Sequence, residues 1–266
     1  MSSLATASRV TFARTLHAEW IKLRSLRSTW LTLACLFVVG LGITGLSMSS
    51  AGDDYATATA AERRDWDPTA LSLTNYIMAQ LIIAVLGSLV VTSEYATGLI
   101  RTSLSATPRR HRLLAAKMVL ATAIALVAGQ TLMFCSFLLG QVVLRAQDVP
   151  YAALGDPGVF SAVAGGGLYL SAVALLAVGI GALLRATAGA IGTLVAILLL
   201  VPALGGLFPS WLHGVIDIWP TMGAAEILAT VPDPEYPHPW LNFGGMCLAV
   251  AAVAAAAFIV QRRRDV

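Results

Sequence analysis

Charge is scarce in this sequence, and that scarcity excludes most soluble architectures. Only 12% of the 266 residues are Asp, Glu, Lys or Arg, 58% are hydrophobic, and the mean hydropathy is +0.79. Soluble domains carry about 25% charged residues, and surface-to-volume scaling limits how large an apolar core can grow. Lipid can take up the excess. Lysine occurs only as Lys22 and Lys117, and neither follows a glycine, so no phosphate-cradling loop ending in Gly-Lys-Ser/Thr exists. Any ATP that drives this protein must be hydrolysed on another chain, and no cofactor is expected here. The three cysteines, Cys35, Cys135 and Cys247, lie in apolar runs without metal-ligand spacing. They are expected as small hydrophobes packed in the membrane interior. His17, His111, His213 and His238 are scattered outside those runs, and no nucleophile, base or metal cluster can be assembled, so the chain is not expected to be an enzyme.

Six apolar runs are present, at 30–48, 71–91, 118–143, 159–184, 188–208 and 241–260, with no charged residue in their interiors. Each approaches or exceeds the roughly 20 residues that cross about 30 Å of hydrocarbon. Continuous runs, rather than alternation, select helices over a barrel. The first run is longer than a signal-peptide core of roughly 7–15 residues and follows a long amphipathic basic segment, so it reads as a retained span. The predicted fold is therefore an all-α integral membrane protein with six transmembrane helices (30–266), preceded by an amphipathic interfacial segment (1–29). Uncharged spans weigh against a proton- or ion-driven carrier. Asn75, Gln80, Gln130, Gln141 and Asn242 are expected to make interhelical hydrogen bonds.

Lys and Arg fix the orientation. Of 17 basic residues, 14 fall on one side of this topology: the amino segment, the loop after the second run, Arg185, and Arg262, Arg263 and Arg264. The other side has Arg63, Arg64 and Arg145 with most of the acids. By the positive-inside rule the basic side is cytoplasmic and holds both termini. The charge follows the membrane, and no nucleic-acid partner is expected. The loop between the fifth and sixth runs carries six prolines with Trp211, Trp219, Tyr236 and Trp240. Such aromatics settle at headgroup level. The segment 216–230 is too short to span and is predicted to dip partway into the outer leaflet.

Two segments on the basic side carry the functional reading. Read as a helix from Thr11, the amino segment puts Phe12, Leu16, Trp20, Leu23 and Leu26 on one face, with Arg14, His17, Lys22 and Arg24 elsewhere. Glu19 falls in the apolar stripe, where a free carboxylate is costly; it pairs with Lys22 one turn on or meets a partner protein. A simple basic anchor explains the segment equally well. In the second, Ser93 is a possible helix cap and Thr107 before Pro108 starts another helix, predicting a short helix-turn-helix on the membrane face. The positive-inside rule alone accounts for Arg109, Arg110 and Arg112, but it explains Glu94-Tyr95-x-x-Gly98-x-Ile100-Arg101 less well.

These residues resemble the permease subunits of type-2 ABC exporters, especially actinobacterial ones. The resemblance rests on the stretch from Glu19 to Trp30 (Glu-Trp-x-Lys-Leu-Arg-Ser-x-Arg-Ser-Thr-Trp), on Glu94 to Arg101 with Leu104 and Pro108-Arg109, and on Trp219-Pro220 before the last span. It covers nearly the whole chain in order and topology. It implies a bacterial inner-membrane transporter in which two permease copies, identical or paralogous, meet two cytoplasmic ATPase subunits that bind ATP. Glu19, Trp20, Lys22, Leu23 and Arg24 would belong to the connecting helix. Glu94, Tyr95, Gly98, Arg101, Leu104, Pro108 and Arg109 would form the ATPase-coupling loop, and Trp219, Pro220 and Met222 the outer lid. Leu99 stands where the family pattern expects Thr, and the lid reads Trp-Pro-Thr-Met-Gly. An apolar route suits a lipid, a hydrophobic antibiotic or an amphipathic peptide. The alternative is a non-transporting scaffold or sensor that docks a cytoplasmic partner on the same surface. Glycines 165–167, 179, 181, 189 and 192 with Ser171 allow close helix packing and point weakly to a dimer face.

Overall fold

A computed structural model describes residues 11–98, 110–231 and 233–263. Among these the chain is helical, with no strand. Helix α1 (Phe12–Ser25) starts at Thr11, whose side chain accepts the Arg14 N–H, and ends at Leu26 in extended conformation. The chain bends there into α2 (Arg27–Ser49). Two short helices, α3 (Ala51–Thr57) and α4 (Ala60–Arg64), form an excursion at the far end of α2. A Thr59–Glu62 capping box opens α4. Helices α5 (Pro68–Leu73) and α6 (Tyr76–Ala96) make the second span. It continues past residue 91, and Ser93 lies within it, donating its hydroxyl to the Leu89 carbonyl, so no new helix is capped there. Helix α7 (Arg110–Ala146) is the longest and begins within the basic stretch. Helix α8 (Val159–Leu184) is the central element, buried along most of its length between α6, α7 and the last helix.

Among the described residues, five helices are long and apolar enough to cross a membrane. The fifth run forms a shorter one. Helix α9 (Thr187–Val195) passes through a π-helical turn (Ala196–Leu200) to Val201–Ala203, giving an apolar helix of 17 residues. That is the lower limit of spanning length. The sequence reading extended this run to 208; Pro202 and Gly205-Gly206 end it sooner. Proline offers no N–H to the preceding turn and glycine holds helix weakly. After short turns comes α10 (His213–Ile216), then a buried 3-10 turn (Gly223–Leu228), and finally α11 (Pro239–Arg263). The 3-10 turn packs against α8 and α11.

The polar residues inside the bundle are bonded between helices. Asn75 donates to the Gly40 carbonyl and the Ser136 hydroxyl, Gln130 to the Ala164 carbonyl, and Gln141 to Pro68 and Ser72. The glycine stripe on α8 works within the chain. A Cβ at Gly167 would lie 2.4 Å from the Gln130 side chain, one at Gly166 2.9 Å from Met133, and one at Gly181 3.3 Å from the Ser88 carbonyl. These positions seat α7 and α6 against α8, whereas Gly189 and Gly192 on the fifth apolar helix are exposed. Cys35, Cys135 and Cys247 also depart from expectation, since all three face outward from the bundle. In lipid an outward thiol behaves as a small apolar group and loses nothing there.

Candidate functional site at the basic end of the bundle

Helix α1, the last turns of α6 and α8, the first turns of α7 and the end of α11 meet at one end of the molecule. Leu23, Val90, Val91, Leu114, Met118, Val178 and Ala257 pack together there. Inside this packing is a four-charge cluster. Lys117 Nζ donates to Glu19 Oε2 at 2.6 Å, to Glu94 Oε1 at 2.6 Å and to the Val90 carbonyl at 3.2 Å, which uses all three ammonium hydrogens. Lys22 completes the cluster by binding Glu94 Oε1 from the partly exposed side. Two cations thus balance two carboxylates. Lys117 and Glu94 are 3% and 1% exposed, so this is an internal ion network, where removing one partner costs far more than it would at a surface. Glu94 Oε2 has no hydrogen-bond partner among the described residues.

The cluster sets the orientation of α1. Of the expected apolar stripe, Phe12 and Trp20 are 40% and 43% exposed on the outside of the bundle, as an interfacial helix allows, and the face turned to the bundle is Thr15, Glu19 and Leu23. Lys117 draws Glu19 inward and turns the aromatics toward the bundle exterior. Glu19 therefore pairs with Lys117, 98 positions away, and not with Lys22. Arg24 is exposed, and its carbonyl accepts the Trp30 indole N–H at 2.9 Å, closing the bend at Leu26.

Of the expected coupling residues, Glu94 is buried near the end of α6. Tyr95 is half-buried beneath the Arg185 guanidinium, 5.4 Å from its ring centre. Gly98 follows the helix at φ +72°, the left-handed geometry that ends helices and favours glycine, and its N–H bonds the Tyr95 carbonyl. Arg101, Leu104, Pro108 and Arg109 lie outside the described residues.

At the opposite end the expected lid residues belong to a different hydrogen-bond circuit. Pro202 has no N–H for the turn before it, and that turn's carbonyls find partners in the lid. Trp219 Nε1 donates to the Ile197 carbonyl at 2.8 Å, and Thr221 Oγ1 donates to that of Leu198 at 2.9 Å. Gln80 Nε2 donates to the Thr221 hydroxyl, the Tyr169 hydroxyl to Gln80 Oε1, and the Thr221 N–H to the Tyr169 oxygen. Thr221 sits at φ +66°, a strained geometry for a β-branched residue, and these bonds hold it there. Pro220 is buried and Met222 is half-buried against Gly205. The other end of this segment is fixed by Asp67, 8% exposed, which accepts the N–H groups of Thr69, Ala70, Thr230 and Val231 and the Thr230 hydroxyl. Glu226, between the two anchors, is raised above the usual carboxylate range by burial first, then by Asp233, Asp67 and Glu235. The sequence marks Gln80 and Trp219 of the first anchor but neither Thr221 nor Tyr169, and it leaves the second anchor unmarked. Asp67 before Pro68 had a readable signal as a helix cap; its partners 163 and 164 positions away had none.

A family model described as ABC-2 family transporter protein matches residues 15–203. The chain belongs to that family. No curated protein matches it. It is thus an integral membrane component of an ABC transporter, in a family whose members are transport permeases and whose system includes an ATPase partner. The matched region runs from α1 through the shortened fifth span, so the charged cluster lies wholly within it. The lid and α11 lie beyond it.

Proposed function

We propose that this ABC-2 family chain is the permease subunit of an exporter. A second permease copy completes the substrate path, and a separate cytoplasmic subunit binds and hydrolyses ATP. The single observation that carries the reading is the Glu19–Lys117–Glu94–Lys22 cluster. Residues 99–109 connect α6 to α7 in sequence, and Glu94 near the end of α6 and Lys117 near the start of α7 together hold α1 through Lys22 and Glu19. A push by an ATPase on that loop would reach α1, α6 and α7 together. Glu94 then acts as a positioning residue inside the bundle, and ATPase contact falls to the loop beyond Gly98, where Arg101, Leu104, Pro108 and Arg109 stand. On this reading the basic end faces the cytoplasm of a bacterial inner membrane, as the positive-inside rule requires. The Trp219–Met222 segment closes the outer mouth of a path suited to an apolar or amphipathic substrate.

The test is affinity purification of the tagged full chain from its own membranes in mild detergent. An ATPase carrying a phosphate loop should co-purify in stoichiometric amount. Recovery with a kinase or biosynthetic enzyme and no ATPase would replace the exporter reading with that of a docking scaffold.

A further inference from the structure

The inner half of α2 stands away from the bundle. Its first fully buried residue is Leu36, ten positions past the bend at Leu26, followed by Gly40, Thr44 and Met48, while Trp30 and Leu31 near the bend are 58% and 73% exposed. A wedge-shaped cavity of about 450 Å³ opens between α1, α2 and α7, walled by Trp20, Trp30, Phe37, Ile124 and Val127, with Arg24 at its rim. A second cavity of about 160 Å³ continues on the α6 side of the same bend and shares Leu23, Thr29 and Ile124 with the first. The α7 wall runs from Leu120 to Thr131. At 1.5 Å per residue that is roughly 16 Å, the depth of one leaflet of a core about 30 Å thick.

Water gains nothing in an apolar space of this kind, and the mouth opens toward hydrocarbon. The rim chooses the headgroup. Arg24 lines the cavity, exposed Arg27 stands at the start of α2, and Trp20 and Trp30 flank them as residues suited to the interface. The nearest α1 carboxylate, Glu19, is already bound to Lys117. We propose that this wedge is a binding site for one resident anionic phospholipid of the leaflet on the basic side, its acyl chain between α2 and α7 and its phosphate at Arg24. The site lies directly behind the face of α1 that carries the ion cluster, so the lipid braces α1 from the side the cluster does not reach.

Native mass spectrometry of the full chain, extracted from liposomes of equal dioleoyl phosphatidylglycerol and phosphatidylcholine, tests this. The wild type should retain one phospholipid and prefer phosphatidylglycerol by on the order of fivefold, the effect of one basic residue near a membrane surface. Ala123→Trp fills the cavity from an exposed position on α7 and should lower retention at least about tenfold, given an acyl-chain gain of roughly 0.8 kcal/mol per buried methylene. Arg24→Gln should keep the lipid and lose the headgroup preference. Retention by Ala123→Trp at the wild-type level, or an unchanged preference in Arg24→Gln, would overturn the proposal. So would a wild type without lipid whose dimer Ala123→Trp dissociates, because the wedge would then hold a second copy of the chain. Should Ala123→Trp fail to fold, the Arg24→Gln preference decides alone.

Discussion

Replacing Lys117 with methionine should lower the thermal midpoint of the purified protein by roughly 6–20 °C, corresponding to about 3–5 kcal/mol. Methionine fits the methylene stem but removes all three hydrogen bonds of Lys117, stranding Glu19 and stripping Glu94 of one of its two cations. Lys22, 28% exposed, can still bind Glu94 but is not bonded to Glu19. The cost should therefore come from a carboxylate left buried and unpaired, and not from lost packing. A second variant separates these causes. Adding Glu19→Gln and Glu94→Gln to Lys117→Met removes the stranded charges, and replacing a whole buried ion group is often close to neutral. Fluorescence-detected thermal unfolding should show the triple variant recovering more than half of the loss. A single variant as stable as the wild type would mean that the cluster does not hold α1, and the coupling route would lose its basis.

Converting Asp67 to asparagine should release the lid at its far end. Asp67 accepts five hydrogen bonds and gives none, so the amide presents two hydrogens to groups that are themselves donors. A buried donor left without an acceptor costs about 1–3 kcal/mol, and the backbone N–H groups of Thr230 and Val231 both face this loss. Hydrogen exchange read by mass spectrometry should therefore accelerate on the order of 100-fold at those two amides while the centre of α8 is unchanged. Asp65→Asn, two residues away and exposed, is the control and should change nothing. Unaltered exchange at Thr230 and Val231 would show that the lid is held by its apolar contacts alone.

The spans were legible because run length and the absence of charge are properties of contiguous sequence. Even the shortened fifth span had its signal in Pro202 and Gly205. The ion cluster was half legible: Glu19 in an apolar stripe announced a buried carboxylate, but local spacing offers only Lys22, and nothing in the sequence points across 98 positions to Lys117. The apolar pattern marks the face of α1 suited to the membrane interface, but it does not tell which part of that face turns to the bundle, and the Glu19–Lys117 pair decides it. The small residues of α8 illustrate a different limit. Their composition signals close approach, yet an approach within the chain and one between chains ask for the same residues. Thr221 was opaque for a third reason, since a left-handed threonine contradicts local preference and exists only because Gln80, Tyr169 and Leu198 bind it.

The claim that most needs testing is that the basic end of the bundle receives the ATPase. A photoreactive amino acid at Ala96, exposed where α6 ends, and another at Ala153, exposed at the opposite end, separate the possibilities in membranes that also contain the ATPase recovered with this chain. Irradiation should attach the ATPase to the variant at position 96 and leave the variant at 153 free. Attachment from 153, or none from 96 while the two proteins still co-purify, would contradict the account.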